Sequence, residues 1–155
     1  MIRTAGALLL AFLLAVLATA IPASIVQTQA NLAQLVALGA PVSPEIRALT
    51  TLQDIALFGP VMAAITAAAF LPAFGAAWLA SKALPGLRLA IHAAAGALSL
   101  WVAFQVMGVF TPMPTFIAAA RTQGGVLALS ATGFLGGALF AYATSRRSRS
   151  ESVRA

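Results

Sequence analysis

Charge is spaced along this chain as it is in a polypeptide that crosses a bilayer four times. Between Arg3 and the C-terminal cluster beginning at Arg146, the only charged residues are Glu45, Arg47, Asp54, Lys82, Arg88 and Arg121. They delimit long uncharged stretches at 4–44, 55–81, 89–120 and 122–145. Each exceeds the roughly 20 apolar residues that span a bilayer core. Because a charge at the bilayer centre costs about 2.5–3.5 kcal/mol on insertion scales, the uncharged stretches are the spans and the charges mark the loops. Strand-like alternation of apolar and polar residues is missing, so a β-barrel is not expected. The pattern predicts an all-α, four-helix transmembrane bundle. Its spans lie at about 5–26, 55–81, 87–110 and 126–144, and one domain fills residues 1–145. Residues 146–155 read as a disordered basic tail.

Composition leaves little room for another class. The chain has 155 residues, of which 61% are hydrophobic and 8% charged, against about 25% charged in soluble domains. The net charge of +6 sits on one side: Arg3, Lys82, Arg88 and the tail arginines, less Glu151 beside them, carry it, while Glu45, Arg47, Asp54 and Arg121 cancel. By the positive-inside rule both termini and the Lys82–Arg88 loop are cytoplasmic in a cell inner membrane, and Glu45–Asp54 and Arg121 face outward. Arg3, the apolar run Ala7–Ala18 and the triplet Ala18-Thr19-Ala20 resemble a signal peptide with an A-x-A site. Apolar character continues through Ile21, Ile25 and Val26, however, and Pro22 follows the cleavage position, so a retained first helix is expected.

The first helix need not stop at the membrane. Residues 27–38 hold no Pro or Gly and place Leu32, Leu35, Val36 and Leu38 at helical spacing. Gly39 fits the position after a helix C-terminus, and Pro41 cannot continue it. Ser43 suits an N-cap, Pro44 the first helical position and Glu45 the first turn. Ile46, Leu49, Leu52 and Ile55 then line a face running straight into the second span. The expectation is a long helical hairpin on the outer side, its two apolar stripes packed together and any apolar remainder forming a docking surface. Pro72 should kink the second span. The Thr111-Pro-Met-Pro-Thr115 segment should end the third, with a short helix over Phe116–Arg121 before the fourth.

Small residues form the clearest internal pattern. Ser130, Gly133, Gly137 and Ala141 share one face of span four, and His92, Gly96, Ser99 and Ala103 one face of span three. Such stripes let helix backbones approach where lipid gives no hydrophobic drive. We expect spans three and four to meet through Gly96/Ser99 and Gly133/Gly137, with Ser130 on the same helix-packing face; an oligomer interface is the competing use.

The chemistry-bearing inventory is short. There is no cysteine, one histidine and three carboxylates, which leaves no nucleophile–base–orienter set, no metal site and no haem site within one protomer. No catalytic residue, metal or cofactor is expected. His92, one turn inside span three from Arg88, is an intramembrane ionisable residue and hence a functional candidate. Thr66, Ser99 and Gln105 are the other polar residues of the spans that would line a solute path or gate with it. At the outer face Asp54 is a candidate partner for Arg121 or Arg47, with Glu45 nearby. Two readings follow. The first is a non-enzymatic accessory or scaffold subunit that binds a partner protein or lipid. The second is a transporter or channel, alone or as an oligomer, for a small neutral or weakly polar solute. The partners to expect are the lipid bilayer, a membrane protein or a second copy; the basic tail lacks the aromatic or structured company that nucleic-acid binding needs.

Overall fold

A computed structural model describes residues 2–110 and 117–152. The protein is all-α. Its helices are α1 (Ile2–Ala37), α2 (Pro44–Leu57), α3 (Gly59–Ala83), α4 (Arg88–Phe110) and α5 (Gln123–Ser152), with single 3₁₀ turns at Pro85–Leu87 and Ala118–Arg121. Four of them contain stretches long and apolar enough to cross a membrane: Ala5–Ala37, Gly59–Ala83, Pro85–Phe110 and Gln123–Ser145. This is a multi-pass membrane protein by length and composition, and most of its large apolar side chains face outward. Leu8, Leu13, Leu71, Leu79, Leu98 and Leu135 are all exposed, as they are in a bundle whose solvent is lipid.

The turn between α1 and α2 forms as its residues dictate. Gly39 takes φ +84°, Gly39 N donates to Val36 O at 3.0 Å and Ala40 N to Leu35 O at 3.0 Å, a Schellman closure of α1. Ser43 caps α2, its hydroxyl accepting from Ile46 N at 3.3 Å, with Pro44 in the first turn. Two expectations fail here. The returning arm does not run unbroken into the second span: the helix is interrupted at Phe58, between α2 and α3. Pro60 supplies the reason, because it has no N–H for the carbonyl one turn back and its ring crowds that carbonyl. Nor do the two arms bury an apolar stripe from each. Leu32 is buried, but Leu35, Val36, Ile46, Leu49 and Leu52 stay exposed and α2 has no buried residue. Polar side chains join the arms instead. Thr28 Oγ1 donates to Asp54 Oδ2 at 2.7 Å, Gln29 Nε2 to Thr51 Oγ1 at 3.1 Å and Arg47 Nη1 to Gln29 Oε1.

Further on, α3 continues through Pro72. The expected break at Thr111–Thr115 falls outside the described residues. The segment expected to be helical before the fourth span is a 3₁₀ turn over Ala118–Arg121, anchored where Ala119 N donates to Gln27 Oε1 at 2.8 Å. The tail is not disordered over its first part: the α5 helix runs on to Ser152.

Around the bundle the order is α1, α5, α4, α3, and the four joints differ in closeness. Where α4 meets α5 there is no room for a side chain. A Cβ on Gly96 would collide with the Gly133 carbonyl and lie 3.3 Å from Gly137 N; one on Gly133 would sit 2.9 Å from Ala97 N. A Cβ on Gly137 would strike the His92 carbonyl and sit 2.9 Å from Ala93 Cα. Gly136 faces α1 in the same way, against the Ala15 carbonyl and Thr19. Between α1 and α3, by contrast, Phe12, Phe70 and Phe74 intervene. Phe12 and Phe74 meet edge-on at 6.3 Å and Phe70 and Phe74 lie 4.5 Å apart, so this joint is the loose one. We expect Gly137→Leu to lower stability in detergent by about 1–3 kcal/mol through overpacking. Gly108→Leu, at a position with open space around it, should leave the melting temperature nearly unchanged.

Candidate functional site

Polar groups inside this bundle are nearly all satisfied by their own helices. Thr19 donates to Ala15 O at 3.1 Å, Ser24 to Ala20 O at 2.9 Å, Thr28 to Ser24 O at 2.9 Å and Ser130 to Val126 O at 2.7 Å. A hydroxyl that bonds the carbonyl one turn back can be buried at little cost. Three buried polar atoms break the rule among the described residues: Thr66 Oγ1, Arg88 Nε and His92 Nε2 have no hydrogen-bond partner. Two of the three belong to one site.

That site is a groove of about 750 Å³ between α1 and α3, at the end of the bundle that carries Lys82 and Arg88. Leu8, Leu9 and Phe12 of α1 form one wall, and Leu71, Gly75 and Trp78 of α3 the other. Its floor is an aromatic stack. Phe74 and Phe140 lie 4.6 Å apart and nearly parallel, and the His92 ring lies 5.8 Å from Phe140 and 6.0 Å from Phe74. Arg88 and Thr144 close the polar end. The groove follows from the uneven joints. Glycines draw α5 onto α4 and α1, and phenylalanines hold α1 away from α3.

The local order of each polar group is set by helical spacing. His92 stands one turn beyond Arg88 on α4, and its Nδ1 lies 2.9 Å from Arg88 O and 3.4 Å from Ser81 Oγ. A carbonyl oxygen only accepts, so Nδ1 carries a hydrogen, and in the neutral ring Nε2 is then a bare acceptor. Arg88 Nη2 donates to Thr144 Oγ1 at 2.8 Å, while that hydroxyl gives its own hydrogen to Phe140 O at 2.7 Å. Lys82 Nζ sits 3.6 Å above the Trp78 ring, a cation–π contact that fixes a second positive charge at the rim. The carboxylates whose side chains the structure describes, Glu45 and Asp54, both stand on α2 at the opposite end of the bundle. Arg88 is therefore a half-buried cation whose contact in the protein is a neutral hydroxyl.

The chain matches no family model, no curated protein and no solved structure. What it can bind has to be read from the groove itself.

The residues singled out from the sequence are not brought together. His92 lies in the groove, fully buried. Thr66 is buried farther along α3 and does not line the groove. Ser99 donates to Gly96 O at 2.9 Å and faces a second groove, otherwise apolar, between α3 and α4. Gln105 is exposed on the outer surface of α4. At the other end Asp54 accepts from Thr28 and Arg47 donates to Gln29, so these two of the four candidates for the outer charge pair are each held by an uncharged group of α1. Sequence reasoning passed over Phe74, Phe140, Thr144 and the groove role of Arg88. The signal available was the recurrence of one-turn pairs near the basic loop: Phe70/Phe74/Trp78, Arg88/His92 and Phe140/Thr144.

Because the chain has a single histidine, the tautomer is directly observable. We expect the ¹⁵N NMR spectrum of the imidazole in detergent to show a protonated Nδ1 and an unprotonated Nε2. The opposite assignment would remove the acceptor from the groove.

Proposed function

We propose that this protein is a small, non-enzymatic subunit of the cell inner membrane that binds an amphiphile in the α1–α3 groove. The head of the ligand lies against Arg88 and His92 and its chain between Leu8/Leu9 and Leu71/Gly75. The observation that carries this reading is the pairing of two unpartnered buried nitrogens, Arg88 Nε and His92 Nε2, with a long apolar trough open to lipid. Buried polar atoms in hydrocarbon cost several kcal/mol each when unsatisfied, so a ligand that meets them gains that energy on binding. A volume of about 750 Å³ also falls in the range of small-molecule sites. Transport of a polar solute has less support, since Thr66, Ser99 and Gln105 do not line a common passage with His92.

The orientation that goes with this reading places Arg3, Lys82, Arg88 and the C-terminus in the cytoplasm, which follows from the positive-inside rule. The groove then opens to the cytoplasmic leaflet. A C-terminal green fluorescent protein fusion is expected to fluoresce and a C-terminal alkaline phosphatase fusion to be inactive; an active phosphatase would overturn the topology.

Gly75 offers the most direct test of binding. No atom lies within 4 Å of the position its Cβ would take, and a helix interior favours Leu over Gly. Gly75→Leu should fold normally yet fill the trough. We expect native mass spectrometry to find lipid adducts on the unmodified protein and at least tenfold fewer on Gly75→Leu. Equal adduct levels on both would place the bound lipid outside the groove.

A further inference from the structure

The polar end of the groove makes two demands at once, and few head groups meet both. His92 Nε2 is a buried acceptor, because Nδ1–H is committed to Arg88 O; what meets it must donate a hydrogen bond. Arg88 brings a positive charge with an unused Nε–H donor, and Lys82 adds a second charge at the rim on Trp78; what meets these must be anionic. A neutral hydroxyl satisfies His92 and leaves Arg88 without a counter-ion. A fatty carboxylate or a phosphodiester satisfies Arg88 and has no hydrogen for Nε2.

We infer that the head group bound here is a lipid phosphomonoester, with an anionic oxygen on Arg88 and the remaining P–OH donated to His92 Nε2. The inference rests on the amphiphile reading given above and specifies its head group. A phosphomonoester has its second ionisation near pH 6, so at about that pH its monoanion carries charge and an available proton together. The acyl chains run along Leu8, Leu9, Leu71 and Gly75, which is why a lipid, and not a free phosphate, is the ligand. The Phe74–Phe140 stack beneath the head group excludes water and strengthens both polar contacts.

Three lipids with the same dilauroyl chains separate the demands. Phosphatidic acid offers charge and a P–OH; phosphatidylmethanol keeps the negative charge but has no P–OH; phosphatidylcholine has neither a P–OH nor net charge. Titrated into the full chain in a neutral detergent and read by native mass spectrometry, phosphatidic acid should bind about tenfold more tightly than phosphatidylmethanol, the worth of one charge-assisted hydrogen bond. Phosphatidylmethanol should in turn outbind phosphatidylcholine. In His92→Phe, which keeps a ring in the aromatic stack, the gap between the two anionic lipids should close. In Arg88→Gln the preference for anionic lipid should be lost. Glycerol 3-phosphate at millimolar concentration should not displace phosphatidic acid.

Equal binding of phosphatidic acid and phosphatidylmethanol to the unmodified protein would overturn the phosphomonoester assignment and leave amphiphile binding standing. So would a gap that survives in both His92→Phe and His92→Gln. If none of the three lipids bound, or if glycerol 3-phosphate displaced phosphatidic acid, the groove itself would fall as a lipid site. The comparison of lipids on the unmodified chain needs no variant to fold, and Gly75→Leu removes the chain-binding half without touching either polar side chain.

Discussion

Close backbone contact at four glycines governs the rest of this structure. In lipid no hydrophobic force draws helices together, so a bundle is held by dispersion and by how near its backbones can come. Gly96, Gly133 and Gly137 bring α4 and α5 to van der Waals contact of main chain with main chain, and Gly136 brings α5 onto α1 at Ala15 and Thr19. With three helices fixed by their thinnest residues, the fourth joint must take up the difference. It does so with three phenylalanines, Phe12, Phe70 and Phe74. The groove is the geometric consequence of packing small residues on one side of the ring and aromatic residues on the other. Gly137 also touches the His92 backbone, so the contact that closes the bundle is the one that positions the histidine.

The treatment of polar groups shows a second level of economy. Most buried hydroxyls return to their own helix, which lets α1 carry Thr19 and Ser24 on a packed face without demanding partners elsewhere. Longer-range polar contacts are concentrated at one end: Thr28 with Asp54, Gln29 with Thr51 and Arg47, and Gln27 with Ala119 N. These tie the α1–α2 hairpin and the 3₁₀ turn before α5 to one another. Against that background the free nitrogens of Arg88 and His92 stand out, because the same fold satisfies so many other polar atoms locally. Thr66 is the remaining exception, and nothing in the structure explains it.

The two ends of the bundle therefore differ in kind. One is a tight polar clasp whose charged groups, Asp54 and Arg47, are occupied within the protein. The other is a basic rim over an aromatic floor, with donor and acceptor capacity left over and a trough leading to the bilayer. Binding energy in the proposed site comes from desolvated polar groups meeting a complementary head, and position from a rigid aromatic stack; nothing in it requires a reactive centre.

Much of this was legible in the sequence. Charges spaced more than a span apart dictate the number of crossings, because burying them in hydrocarbon is prohibitive. Gly39, Pro41, Ser43 and Pro44 dictate the hairpin turn through backbone constraints that act locally. The glycines of the stripes on spans three and four, Gly96, Gly133 and Gly137, fall in the contact between α4 and α5, whereas Ser99 of the same stripe turns to the groove between α3 and α4. What sequence alone did not decide was anything that depends on which side chain meets which across helices. The break at Phe58 follows from Pro60 in retrospect, yet other prolines, Pro22 and Pro72, sit inside continuous helices, so proline by itself does not specify a break. Whether Asp54 would meet Arg121, Arg47 or Thr28 depended on the relative rotation of α1 and α2, which no periodicity encodes. The groove was equally unreadable. It exists only because four joints of unequal width close into one ring, and only the tertiary structure says that Phe74, Phe140, Arg88 and His92, from three helices, line it together.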